Sequence, residues 1–268
     1  MGGWRALSRR GGPRQVLGTW RLWSFFAGLA SIWIALLSPI GVYSELFFSM
    51  HMIQHLILVE VSAPLLLLGA PLLPVLWALP RDARVGAGRL FTAGPLHRLF
   101  TALTHPLTAV TVYCVALSAW HIPEFYDAAQ GRTLIHDFEH AIFLGAALLF
   151  WWPVIHPAGG RRRLSYLGGL IYFVPPMSVG SLIGALLTFA QHPLYATYQR
   201  VPRVWGISVL LDQQIAGLIM WVPGGLVFAI PVFTFLVLML RESPPPDLPV
   251  RGPSDTLTGA ADHESLAE

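Results

Sequence analysis

Charge is scarce in this sequence, cysteine nearly absent and lysine missing altogether. Charged residues fill only 12% of the 268 positions, against about a quarter in an ordinary soluble domain. A single water-soluble globule is thereby excluded, because a 54% hydrophobic chain with so few charges must turn apolar surface toward lipid. The one cysteine, Cys114, excludes a disulfide framework, a C-x-x-C redox pair and a thiolate metal cage. All 17 basic residues are arginines. They sit in short stretches between apolar runs, so the net charge of +3 and pI near 9.3 do not describe a nucleic-acid-binding face.

Long apolar runs and aromatics are abundant. A basic, glycine-rich leader over residues 1–21 shows no cleavable secretory signal. Apolar stretches follow at Leu22–Ile40, Phe47–Leu68, Ala102–Trp120, His136–Ile155, Leu164–Ala190 and Trp205–Leu240. About 20 residues suffice to cross the hydrocarbon core, so the chain is expected to be an all-α, polytopic transmembrane helix bundle of six spans over residues 22–240. Seven is the alternative. It arises if the proline-punctuated piece after span two, with Pro71, Pro74 and Pro80, enters the membrane, or if Val222-Pro223-Gly224-Gly225 splits the last run. Trp151 and Trp152 read as an interfacial belt, and residues 241–268, rich in Pro, Asp and Glu, as a disordered tail.

With six spans, fourteen arginines fall at one set of helix ends and three (Arg132, Arg200, Arg203) at the other. By the positive-inside tendency both termini are cytoplasmic. The histidines then segregate to the outer side. His51 and His55 open span two, His121 closes span three, His136 and His140 open span four, His192 closes span five, and Asp212 opens span six. Each H-x-x-x-H pair shares one helix face, with a rise of about 6 Å between its members. Two such pairs offer four imidazoles to one site, a donor set suited to copper, zinc or iron. The candidate metal residues are therefore His51, His55, Met52, His121, His136, His140 and Asp212, with Met50, Glu45 and Glu139 nearby as ligands or orienting acceptors.

Other polar and thioether residues read differently. Glu60 lies mid-span, five residues past His55 and, on an α-helix, about 140° around from it. That rotation takes it off the histidine stripe, leaving a structural hydrogen bond and a proton or metal relay both open. Met177 and Met220 read as core filling, and Cys114 as an inert buried residue.

Several of these residues lie in short motifs that resemble the CtaG family, polytopic bacterial assembly factors for caa-type cytochrome c oxidase. They are His51-Met52-Ile53-Gln54-His55 with Ala63-Pro64-Leu65-Leu66, Trp120-His121-Ile122-Pro123 with Phe125-Tyr126-Asp127, His136 with Glu139-His140, Phe150-Trp151-Trp152-Pro153, and Asp212-Gln213-Gln214. The resemblance implies a multi-pass protein of the bacterial cytoplasmic membrane that partners with oxidase subunits and delivers or inserts copper. Glu60 departs from the apolar or methionine character expected there.

A non-enzymatic copper chaperone is the leading reading. A zinc-dependent intramembrane hydrolase, with three histidines and an aspartate on the ion and Glu139 as candidate base, is the catalytic alternative. A bis-histidine haem carrier is the third, and a metal-free scaffold for the oxidase the fourth.

Overall fold

A computed structural model describes residues 18–71, 79–83, 85–86, 94–155 and 164–241. Most of the basic leader, Pro74, His156, the Arg161–Arg163 run and the acidic tail lie outside the described residues. Among those described there is helix and no strand. The elements are α1 (Thr19–Leu37), α2 (Pro39–Ser44), α3 (Phe48–Gly69), α4 (Gly94–Leu103), α5 (Pro106–Trp120), α6 (Pro123–Gln130), α7 (Thr133–Ile155), α8 (Tyr166–Thr188), α9 (Ala196–Arg200) and α10 (Val209–Arg241).

Five of these, α1, α3, α7, α8 and α10, are long and apolar enough to cross a bilayer. A sixth traverse is formed if α4 and α5, which meet at 64°, act as one broken span. The bend falls at His105-Pro106, where proline begins α5 and His105 Nδ1 accepts from the amide of Leu107 at 3.3 Å. Of the two sources of a seventh span, the proline-punctuated piece lies mostly in residues 72–78, outside the described residues, and a split of the last run is not seen. α10 runs unbroken through Pro223 and Pro231, and α3 stops at Gly69, closed by Ala70 in the left-handed region at φ 45°.

α3 is not a uniform α-helix. Ile57–Ser62 forms a π turn, in which the amide of Ala63 reaches back five residues to the carbonyl of Leu58. Continued one residue, that register would assign the carbonyl of Val59 to residue 64, a proline without an N–H. Trp151 fills the vacancy, donating from Nε1 to Val59 O at 3.0 Å. The sequence placed Trp151 in an interfacial belt; instead it is 4% exposed in the core. The indole has a specific buried acceptor there, which outweighs its preference for the headgroup region. Phe150 beside it packs on Tyr113, Tyr172, Phe173 and Phe228, drawing α5, α7, α8 and α10 together.

Small residues allow close approach elsewhere. Gly184 of α8 and Gly217 of α10 face each other so tightly that a Cβ on Gly217 would lie 2.6 Å from Gly184 O, the small-residue packing typical of helices in lipid. α1 lies along α3, joined by Ser24 Oγ donating to Leu65 O (2.8 Å), the Ser31–Ser62 hydroxyl pair (2.7 Å) and Gln54 Nε2 donating to Ala35 O (3.0 Å). Those contacts occupy one side of α3. His51 and His55 are left to face α7.

Candidate metal centre

The N-terminal halves of α3 and α7 meet at one end of the bundle. Periodicity aligns His51 with His55 and His136 with His140, and packing sets the two faces against each other. Ring centroids of His51 and His55 are 4.1 Å apart, those of His136 and His140 4.4 Å. Across the helices the spacing is 5.3 Å for His51 to His136, 5.8 Å for His51 to His140 and 5.2 Å for His55 to His140. Glu139, adjacent to His140, points into the same space and is wholly buried. Its Oε1 is 3.9 Å from His51 Nε2 and 3.8 Å from His55 Nε2, too far for hydrogen bonds.

Seven buried polar atoms here have no partner: both ring nitrogens of His55, Nε2 of His51, His136 and His140, and both oxygens of Glu139. Buried polar atoms are normally satisfied, and an ion would satisfy these. Two triads bring one donor atom per residue within 4.8 Å of one another, His51/His136/His140 and His51/His55/Glu139. Zinc–imidazole bonds of about 2.0–2.1 Å place ligands of a tetrahedral ion about 3.3 Å apart, so contraction by around half an ångström would convert the observed 3.8–3.9 Å separations. The donors therefore fit a metal ion.

His51 belongs to both triads and is held from behind. Its Nδ1 lies 2.9 Å from the side-chain amide of Gln130, which also donates to Tyr126 Oη at 3.3 Å. A carboxamide can offer either its NH2 or its oxygen to the ring. Turned with the oxygen inward, it accepts from Nδ1–H and leaves Nε2 free to ligate, giving up its donation to Tyr126 Oη. Tyr126 continues outward to Tyr198 Oη (2.8 Å), which donates to Ser44 O (3.0 Å). Phe48 packs against Tyr126, Tyr195 and Tyr198, so the buried triad residues lie beneath an aromatic layer, while His136 is partly exposed.

The other residues singled out by sequence occupy different places. Asp212 belongs to neither triad. Its Oδ2 accepts from Phe48 N (2.7 Å) and its Oδ1 from Ser49 N (3.1 Å) and Ser49 Oγ (2.6 Å). Phe48 and Ser49 are the first residues of α3, whose own cap position, Phe47, supplies no side-chain acceptor. Asp212 therefore caps α3 from another helix. His121 also lies outside the triads. Its Nδ1 donates to Leu117 O at 2.7 Å, because a carbonyl can only accept, so the unpartnered Nε2 carries the lone pair in the neutral ring. Burial pushes the ring from its ordinary 6.5 down to about 4. Met52 and His121 line a cavity below the cluster together with His55. His192 and Glu45 are exposed, and Met50 is half-buried without a place in either triad.

Sequence reasoning underweighted Glu139 and passed over Gln130. The i+3 spacing of His136 and Glu139 was available as a signal; nothing local marked Gln130, which is set by a short helix between the spans.

A helical polytopic membrane protein with a buried histidine–carboxylate cluster is the class these observations define. The chain belongs to the family of cytochrome c oxidase caa3 assembly factors, Caa3_CtaG, whose pattern matches residues 1–242. It is 32% identical over 224 residues to uncharacterized proteins of Mycobacterium bovis and Mycobacterium tuberculosis, a match covering 82% of this chain and 33% of each relative. An uncharacterized protein of Mycobacterium leprae is 29% identical over 216 residues, 78% of this chain and 33% of the relative. The chain thus spans about a third of the length of these relatives. No solved structure matches it.

Proposed function

We propose that this protein is a non-enzymatic copper carrier that assists assembly of cytochrome c oxidase, holding copper between α3 and α7 and releasing it to an oxidase subunit within the membrane. Family membership supports the assembly role. The observation that carries the metal role is the pair of donor triads sharing His51. Five donors for one ion let it exchange ligands stepwise, and that is what a carrier needs in place of a closed structural cage. The arginine asymmetry supports placement in the cytoplasmic membrane with both termini cytoplasmic and the cluster at the outer side.

Purified protein is expected to bind copper stoichiometrically, and the double variant His51→Ala/His140→Ala to lose the equivalent held between α3 and α7. Undiminished copper in that variant would overturn the site assignment. The mixed set His51/His55/Glu139 gives the zinc hydrolase a specific basis too, since two histidines and a glutamate also suit catalytic zinc. Metal analysis showing zinc near one per chain without copper would favour that alternative. A Soret band in purified protein would favour the bis-histidine haem alternative.

A further inference from the structure

Below the histidine cluster a cavity of about 60 Å3 lies among α3, α5, α7, α8 and α10. Its lining includes three of the chain's six methionines, Met52, Met177 and Met220, contributed by three different helices, together with His55, His121 and Glu60. Four polar atoms on these residues are buried without a partner: both ring nitrogens of His55, His121 Nε2 and Glu60 Oε2. The π turn is what brings Glu60 here. It lowers the rotation per residue between His55 and Glu60 below the α-helical value, so the residue expected off the histidine stripe shares a cavity with His55. Gly224 of α10 leaves room for the carboxylate, since a Cβ there would meet Glu60 Oε1 at 3.0 Å.

We infer that this cavity is a second, inner copper site selective for the monovalent ion, filled from the outer cluster through His55. Three thioethers and two imidazoles form a soft donor set that prefers Cu(I) to zinc, calcium or magnesium. A single carboxylate, Glu60, matches one positive charge, so the loaded site is neutral in a low-dielectric interior, as a divalent ion would not be. His55 belongs to one outer triad and also lines the cavity, giving the ion a ligand common to both positions. The ion stays Cu(I) throughout, so no electron is transferred. This inference rests on the outer cluster handling copper.

The test is a titration of the full detergent-solubilised chain with Cu(I) under reducing conditions, competed by a chromophoric Cu(I) chelator. The wild type is expected to bind two equivalents, with sulfur neighbours in the copper X-ray absorption spectrum. Met177→Leu/Met220→Leu, which conserves volume, is expected to bind one equivalent and to lose most of the sulfur signal. Glu60→Gln should weaken the second equivalent at least about tenfold. His136→Ala/His140→Ala should lose the other equivalent and keep the sulfur-rich one. A single equivalent in the wild type, or two in the methionine variant with an unchanged absorption spectrum, would overturn the inner site while leaving the outer one standing. No bound copper in the wild type would overturn both.

Discussion

Ser49 Oγ donates a 2.6 Å hydrogen bond to Oδ1 of Asp212, tying the first turn of α3 to the first turn of α10 two residues before His51. The same carboxylate takes the amides of Phe48 and Ser49, so it orients the helix that carries His51 and His55. Asp212→Ala is expected to destabilise the protein by about 1–2 kcal/mol, read as a lower thermal midpoint in detergent, while copper stoichiometry at saturation is retained. A ligand role would instead remove bound copper at unchanged stability.

Glu139 is buried with both oxygens unpartnered, a burden on the empty protein and an asset to the loaded one. Glu139→Gln should stabilise metal-free protein by on the order of 1 kcal/mol, read as a higher melting temperature, and shrink the further rise on adding copper. Equal copper-induced shifts in wild type and variant would show that the carboxylate does not contact the ion.

His121 titrates in the folded protein near 4 and ordinarily at 6.5. Between those values the unfolded chain takes up a proton that the folded one refuses, so stability falls as pH drops through that window and is unaffected above it. Metal-free His121→Gln should therefore show a flatter decline of melting temperature over that range. An identical pH profile would falsify the buried neutral imidazole.

The α8–α10 contact is sensitive to a single methyl group. Gly217→Ala places a Cβ within 2.7 Å of Thr188 N as well as against Gly184 O, and overpacking of this kind costs about 1–3 kcal/mol. Gly145→Ala, where nothing lies within 4 Å, serves as the control and should leave the melting temperature unchanged or slightly raised.

Sequence alone determined what depends on neighbours along one helix. Scarcity of charge places the chain in lipid, run length marks the spans to within a few residues, and i, i+4 spacing puts each histidine pair on one face, because helical periodicity is local. Tertiary structure decided everything that needs two helices at once. It turned the α3 pair toward the α7 pair and brought Glu139 between them; it assigned Asp212 to capping and Trp151 to an orphaned carbonyl. Even Glu60 belongs to this second group. Pro64 removes one backbone donor, a π turn forms beside it, and the altered rotation carries the carboxylate to the cavity. A count of 100° per residue cannot register that change, since it assumes the hydrogen-bond pattern that the packed helix gave up.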